Sequence, residues 1–217
     1  MADTASPTRT IRKRERTRGE LVAAAETLVA ARGIDAISID DIVEAADVAK
    51  GTFYTHFADK DDLAAAIALR GRMELEAAIT TLNRGVTDAG ERMANGLSTS
   101  LAFAIANPIR ARALLRLQPR AVDPAEQMNA GLRGDILLGV KTKRFWAASI
   151  DAAFATVIGG TLSAILRISD TNHRVADPHA FATDVVTTLL VALGLKQAEA
   201  KRLASAAVTA RRKEAKS

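Results

Sequence analysis

Alanine dominates this chain: 45 of its 217 residues, spread along the whole length. Alanine loses no side-chain entropy in a helix and is depleted from strands. Aromatic residues, which favour sheets, are only 4%. The expected fold is therefore all-α. With 48% apolar and 25% charged residues the chain is globular in composition, and at roughly 100–200 residues per domain it holds one large or two small domains. The absence of cysteine removes disulfides, thiolate metal sites and cysteine nucleophiles together. No uninterrupted apolar run of about 20 residues stands out, and the polar start, Met1 to Ile11, lacks the core of a signal peptide. A cytoplasmic helical protein with no membrane partner is expected.

Helical spacing is plain from about Thr17, where Leu21, Ala24, Ala25, Leu28 and Val29 recur on one face. Gly33 stands where a C-terminal cap belongs, so a first helix is expected near 13–32. Ser38 opens a second helix over about Ile39 to Ala46. Asp41 occupies the reciprocal capping-box position, one methylene shorter than the usual glutamate, and Ile37 with Ile42 has the spacing of a hydrophobic staple. After a break at Asp47 and Val48 comes a short segment, Ala49 to Phe57, with Phe53 and Phe57 four apart on one face. Asp59 is placed to cap a helix from Lys60, with Leu63, Ile67 and Met73 on its inner side. A bracing helix followed by two short helices around a tight turn is the helix-turn-helix pattern.

Further on, Gly85 and Gly90 read as breaks before a helix near 91–106, and Asn107-Pro108 resets the chain. Pro124 suits the first position of a helix running towards Leu138. Lys141 to Arg144 reads as a basic loop, Phe145 to Ile168 as the longest apolar-periodic helix, and Pro178 opens a helix to about Leu193. Residues 196–213 form a final, mostly polar basic helix. The expected organisation is a flexible basic arm (1–12), a helix-turn-helix domain (13–60), a helical effector and dimerisation domain (61–195) and a basic helix or tail (196–217).

The net charge of +5 is uneven: residues 1–18 carry +4, 19–70 carry −6, 71–195 carry +2 and 196–217 carry +5. The basic ends suit phosphate contact, and equally suit solubility. For the acidic stretch to face DNA, Asp40, Asp41, Glu44, Asp61 and Asp62 must turn away from it. The arm with Arg9, Arg12, Lys13, Arg14, Arg16 and Arg18 then supplies the compensating field.

The informative run is Val48-Ala49-Lys50-Gly51-Thr52-Phe53-Tyr54-Thr55-His56-Phe57, followed by Asp59-Lys60. A glycine early in a short helix lets the backbone approach another surface. Around it stand a cation, hydroxyls, a phenol and an imidazole, all able to reach phosphates or base edges. The plainer alternative makes Tyr54 and His56 packing residues and Lys50 a solvated cation. Residues 17–63 resemble the tetracycline-repressor (TetR) family of bacterial regulators, most closely over Val48 to Phe57 with Lys60 and Leu63. The resemblance implies that Lys50, Gly51, Thr52, Tyr54, Thr55 and His56 face DNA, that Lys60 holds a phosphate and that Ser38 meets the backbone, with Phe53 and Phe57 as core. Arg16 and Arg18 of the arm join that DNA-binding set. Asp47 stands where the family usually has glycine, and Ala49 where it usually has serine or threonine. Aspartate tolerates the left-handed conformation such a turn needs, whereas Ala49 lacks a capping hydroxyl.

A single recognition helix reads few base pairs, so a homodimer on paired half-sites is expected. Gly159, Gly160, Ala164, Ala152 and Ala153 allow close helix packing, and Phe154, Ile158, Leu162, Ile165, Phe181, Val185 and Leu189 are the candidate dimer interface, unless these are ordinary core helices. The resemblance places a dimer bundle in the last two helices. It also implies a small-molecule effector pocket, for which Met93, Leu97, Leu101, Phe103, Met128, Leu132, Phe145 and Trp146 are candidates. Arg110, Arg112, Arg116 and Arg120 form a cationic strip, either anion-binding or simply solvated. The reading is a palindrome-binding transcriptional repressor, nucleoid-associated and released by an effector. The alternative is a non-sequence-specific architectural DNA binder, and beyond that a protein-interaction module. An enzyme is disfavoured, no cofactor or metal is expected, and His173, Asp177 and His179 lie in a polar segment that reads as a loop.

Overall fold

The computed structural model describes residues 7–117, 129–170 and 175–214. Among these, regular structure is entirely helical, in the order α1 (Pro7–Arg32), α2 (Ile39–Ala45), α3 (Lys50–Tyr54), α4 (Lys60–Leu82), α5 (Ala89–Ala106), α6 (Pro108–Leu117), α7 (Ala130–Lys141), α8 (Ile150–Ile168), α9 (Pro178–Ala192) and α10 (Gln197–Glu214). The chain divides into two compact units, Met1–Arg70 and Gly71–Ser217.

In the first unit α1 buries Leu21, Val22, Ala25 and Val29 along one stripe. It ends at Gly33, whose φ of +84° and amide bond to the Val29 carbonyl (2.9 Å) close the helix. α1 starts at Pro7, six residues ahead of the expected start, so 7–12 are helix rather than flexible arm; high charge does not prevent a helix whose later turns are anchored. The short aspartate still completes the capping box of α2: Ser38 N donates to Asp41 Oδ2 (2.7 Å) and Asp41 N to Ser38 Oγ (3.0 Å). Ile37 and Ile42 are both buried. The turn into α3 places Asp47 at φ +52°, the left-handed conformation aspartate tolerates. Asp59 caps α4, accepting from Asp62 N at 2.8 Å. Buried Leu63 and Ile67 belong to this unit, which is why the boundary falls after Arg70 rather than at residue 60; Met73, expected inward with them, is exposed.

The second unit is built on α5, which packs against α6, α7, α8, α9 and α10. Gly90 is buried inside the first turn of α5 rather than breaking it, because Asp88 already caps the helix by accepting from Glu91 N at 2.8 Å. α8 begins at Ile150, capped by Ser149, so residues 145–149 are not helical. Phe145 packs where Gly139 leaves no side chain; a Cβ there would collide with its ring. The basic loop contains a tie: Arg144 donates from Nε to Asp88 Oδ2 (2.7 Å) and through both terminal nitrogens to Glu199 (2.6 and 3.1 Å). α10 is no detached tail. It buries Ala200, Leu203, Ala204, Ala207 and Val208, an apolar stripe of small residues hidden beneath the block's net positive charge. By length and composition α8 is apolar enough to cross a membrane, yet its Phe154 and Val157 lie in the core of this unit. The expected helix start at Pro124 lies outside the described residues.

Replacing Phe53 with alanine should cost the first unit about 3–5 kcal/mol, the usual range for a sealed aromatic. Calorimetry would show a lowered transition for that unit, with the transition of the second unit retained.

Candidate nucleic-acid interface

α3 is five residues long and has no side-chain cap, since its N-cap is Ala49. Packing must hold it, and Phe53 (0% exposed) and Phe57 (3%) do so. One turn of helix then leaves Lys50, Gly51 and Tyr54 outward, with Tyr54 54% exposed. A Cβ on Gly51 would meet nothing within 4 Å, so the glycine presents bare backbone to the outside. Thr55 is exposed, while its hydroxyl donates to Thr52 O at 2.7 Å. Thr52 and His56 are partly buried.

The cations around this face have partners in the free protein. Lys50 Nζ lies 2.8 Å from Asp40 Oδ1, which raises the lysine pKa. Asp40 therefore stands beside the outward face of α3 instead of turning away from it. Lys60 Nζ donates to Ile37 O at 2.9 Å, tying the start of α4 to the entry of α2. Arg16 pairs with Glu20 at 3.4 Å, and the Arg18 guanidinium lies over the Phe57 ring at 4.9 Å. Arg14 donates to Thr55 O at 3.4 Å, a contact the sequence reading did not anticipate. Burial, with Arg14 and Arg18 nearby, pushes the His56 pKa down and favours neutral imidazole. Ser38 is exposed, but its hydroxyl is engaged in the cap with Asp41.

The second unit contains a cavity of about 490 Å³, within the range of small-molecule sites. Of the expected pocket residues, Met93, Leu97, Phe103 and Leu132 line it. Leu101 and Phe145 are sealed in the core, Trp146 is 71% exposed, and Met128 lies outside the described residues. Of the expected dimer residues, Phe154 and Leu189 are buried within the unit, while Ile158, Leu162, Ile165, Phe181 and Val185 stay partly exposed, the first three along the cavity wall and the last two against the core. Arg110 belongs to no bare cationic strip, since it pairs with Glu74 at 3.2 Å and lies 5.6 Å from the Phe103 ring centroid. Arg120 and His173 lie outside the described residues, and Asp177 caps α9 by accepting from His179 N and Ala180 N.

Residues 21–67 match the bacterial regulatory proteins of the tetR family, and residues 88–206 match the tetracyclin repressor-like C-terminal domain. The chain belongs to the tetR family of bacterial regulators. No curated protein matches it. Among solved structures it is similar to RolR in complex with resorcinol, at 29% identity and a TM-score of 0.52, over 90% of this chain and 96% of that one. It shares its fold with a tetR-family regulator from Rhodococcus RHA1 (20% identity, TM-score 0.68, covering 83% and 98%). The same holds for an ArpA-like gamma-butyrolactone receptor (20%, 0.69, covering 92% and 99%). Proteins of this family are non-enzymatic DNA-binding regulators with ligand-binding C-terminal domains.

The capping box also carries a pH dependence. Hydrogen bonds from Ser38, with Arg32 adding to them, pull the Asp41 pKa down to about 2 from an ordinary 3.8. A carboxylate with a depressed folded pKa stabilises fully above its unfolded value and loses that contribution as pH falls through the folded one. Far-ultraviolet circular dichroism should therefore show first-unit stability declining as pH drops from about 4 to about 2. Asp41→Asn should melt lower at neutral pH and flatten that decline; identical profiles would refute the assignment.

Proposed function

We propose that the chain is a transcriptional repressor that binds palindromic operators as a homodimer, associates with the nucleoid by that route, and leaves its operator when a small molecule fills the second-unit cavity. The observation that carries this reading is the outward display of Lys50, Gly51, Tyr54 and Thr55 on a helix anchored by Phe53. That is the arrangement a recognition helix needs to meet a major groove. Arg16, Arg18 and the other cations of α1 add phosphate contacts. Lys50 and Lys60 exchange Asp40 and the Ile37 carbonyl for DNA groups, and Thr52 and His56 contribute from the edge of the face.

The dimer reading takes in the outward faces of α8 and α9. On α8 the exposed residues Ala152, Ala155, Thr156, Gly159, Ser163 and Leu166 recur at helical spacing, and on α9 Ala180, Asp184, Thr188 and Val191 do so. Small side chains let two helices approach closely, and the exposed Leu166 and Val191 supply apolar area. The complex of RolR with resorcinol supports an effector role for the cavity. α4 is the covalent route for the signal, since it begins in the first unit and ends in the second. A ligand that shifts α4 would move two recognition helices off the ~34–36 Å repeat of successive major grooves.

Selection of bound duplexes from a random library should recover a two-fold palindrome, bound at least ~10³-fold tighter than random DNA. Equal affinity for all sequences would establish the architectural alternative instead. Tyr54→Ala should abolish the preference while its melting temperature stays within the small change of an exposed substitution. Gly159→Arg should convert the dimer to monomer in sedimentation and weaken operator binding. Each phosphate contact from α1 should add about 0.9 to the slope of log affinity against log salt, so removing residues 1–14 should flatten it.

A further inference from the structure

The wall of the second-unit cavity has more hydrogen-bond acceptors than its own fold uses. Much of it is apolar, with Ile79, Leu97, Leu115 and Leu162 on four different helices. Two of its three hydroxyl residues (Thr80, Ser100 and Thr161) donate into their own helices, Ser100 to Gly96 O at 3.0 Å and Thr161 to Val157 O at 2.7 Å. What remains of these two towards a ligand is an accepting lone pair each. Asp135 accepts from Arg92 Nε through Oδ1 at 2.7 Å, with its side chain only 13% exposed. Asp135 Oδ2 accepts no hydrogen bond from any described residue.

Arg92 is the other half of this arrangement. From Nη1 it donates to the carbonyls of Asn83 (3.1 Å) and Val86 (3.3 Å), and Asn83 Nδ2 donates back to Arg92 O at 3.2 Å. Asn83 directly follows α4, so one guanidinium joins the end of α4 to α7 through Asp135. The pair also bears on the charge of a ligand group placed beside it, while Arg72, Glu76 and Arg84 stand elsewhere on the same wall. A carboxylate would approach the uncompensated oxygen of Asp135, and an amine would meet the Arg92 guanidinium; both would lie half-desolvated beside a like charge.

We infer that the cavity takes a neutral, largely apolar molecule bearing a hydroxyl or phenol, whose O–H donates to Asp135 Oδ2 and competes with Arg92 for that carboxylate. The inference rests on the effector reading above and gives it a chemical class and a route: weakening the Arg92–Asp135 pair loosens the hold of Arg92 on the chain that leaves α4.

Calorimetry on the full-length chain without DNA tests the chemistry independently of any operator. The probes are 4-butylphenol, its methyl ether 4-butylanisole, and 4-butylbenzoate. The phenol should bind once per chain and about tenfold or more tighter than either analogue, the ratio one charge-assisted hydrogen bond supplies. Asp135→Asn should lose about that factor for the phenol alone, and Leu162→Trp, which fills the cavity, should lose all binding at an unchanged helix content. Equal binding of phenol and ether, an unaffected Asp135→Asn chain, or binding by none of the three overturns the ligand class. With the selected operator, the phenol should weaken DNA binding by the wild-type chain and not by Asp135→Asn. A phenol that binds yet leaves operator affinity unchanged overturns the Arg92 route. A chain that binds the phenol but prefers no DNA sequence defeats the repressor reading alone.

Discussion

A five-residue helix cannot hold itself in water, where isolated helices shorter than about 12–15 residues are marginal. α3 exists because Phe53 is sealed beneath it and Phe57 closes the turn that follows. That one burial fixes the rotation of the helix about its axis, and the rotation decides which side chains face outward. Lys50, Gly51 and Tyr54 form an outward face only because the ring one residue before Tyr54 points the other way. Arg14 on the Thr55 carbonyl and Arg18 over the Phe57 ring brace the same turn from α1.

The first unit is legible in the sequence because its signals are local. Gly33, Ser38 with Asp41, Asp47 and Asp59 each fix a boundary within four residues of themselves, and local geometry bears all of them out. The second unit yields less, for physical reasons. Periodicity shows which residues share a face of α8 but not what covers that face, and the spacing alone does not reveal that Ile158, Leu162 and Ile165 also line a cavity. Phe145 and Trp146 are adjacent yet opposite in burial, and the cause, the bare backbone of Gly139, is local to neither. The ties of Arg144 to Asp88 and Glu199, and of Arg92 to Asp135, join residues 43 to 56 positions apart. No spacing rule reaches that far. Alanine, the best guide to fold class, also hid the buried side of α10.

Charge counts mislead in this molecule because several of its ions are already engaged. The acidic block at −6 includes Asp41, consumed by a cap, and Asp40, set against Lys50. Exposed pairs of this kind contribute little, about 0–1 kcal/mol, and so yield readily to a phosphate. The free protein thus keeps its cations ordered without holding them strongly. Lys60 is bound differently, by a backbone carbonyl, and its first role is to hold the entry of α2 against the start of α4.

The aromatic residues are distributed so that each unit carries its own optical label. The sole tyrosine, Tyr54, sits exposed on α3, and the sole tryptophan, Trp146, sits exposed beside Gly194 in the second unit. Excitation at the red edge of protein absorbance therefore samples the second unit alone, while phenolic emission originates wholly from the first. Because the chain contains no thiol, a fluorophore attached at one introduced cysteine would be chemically unique, and events in the two halves could be followed separately in a single unmodified background.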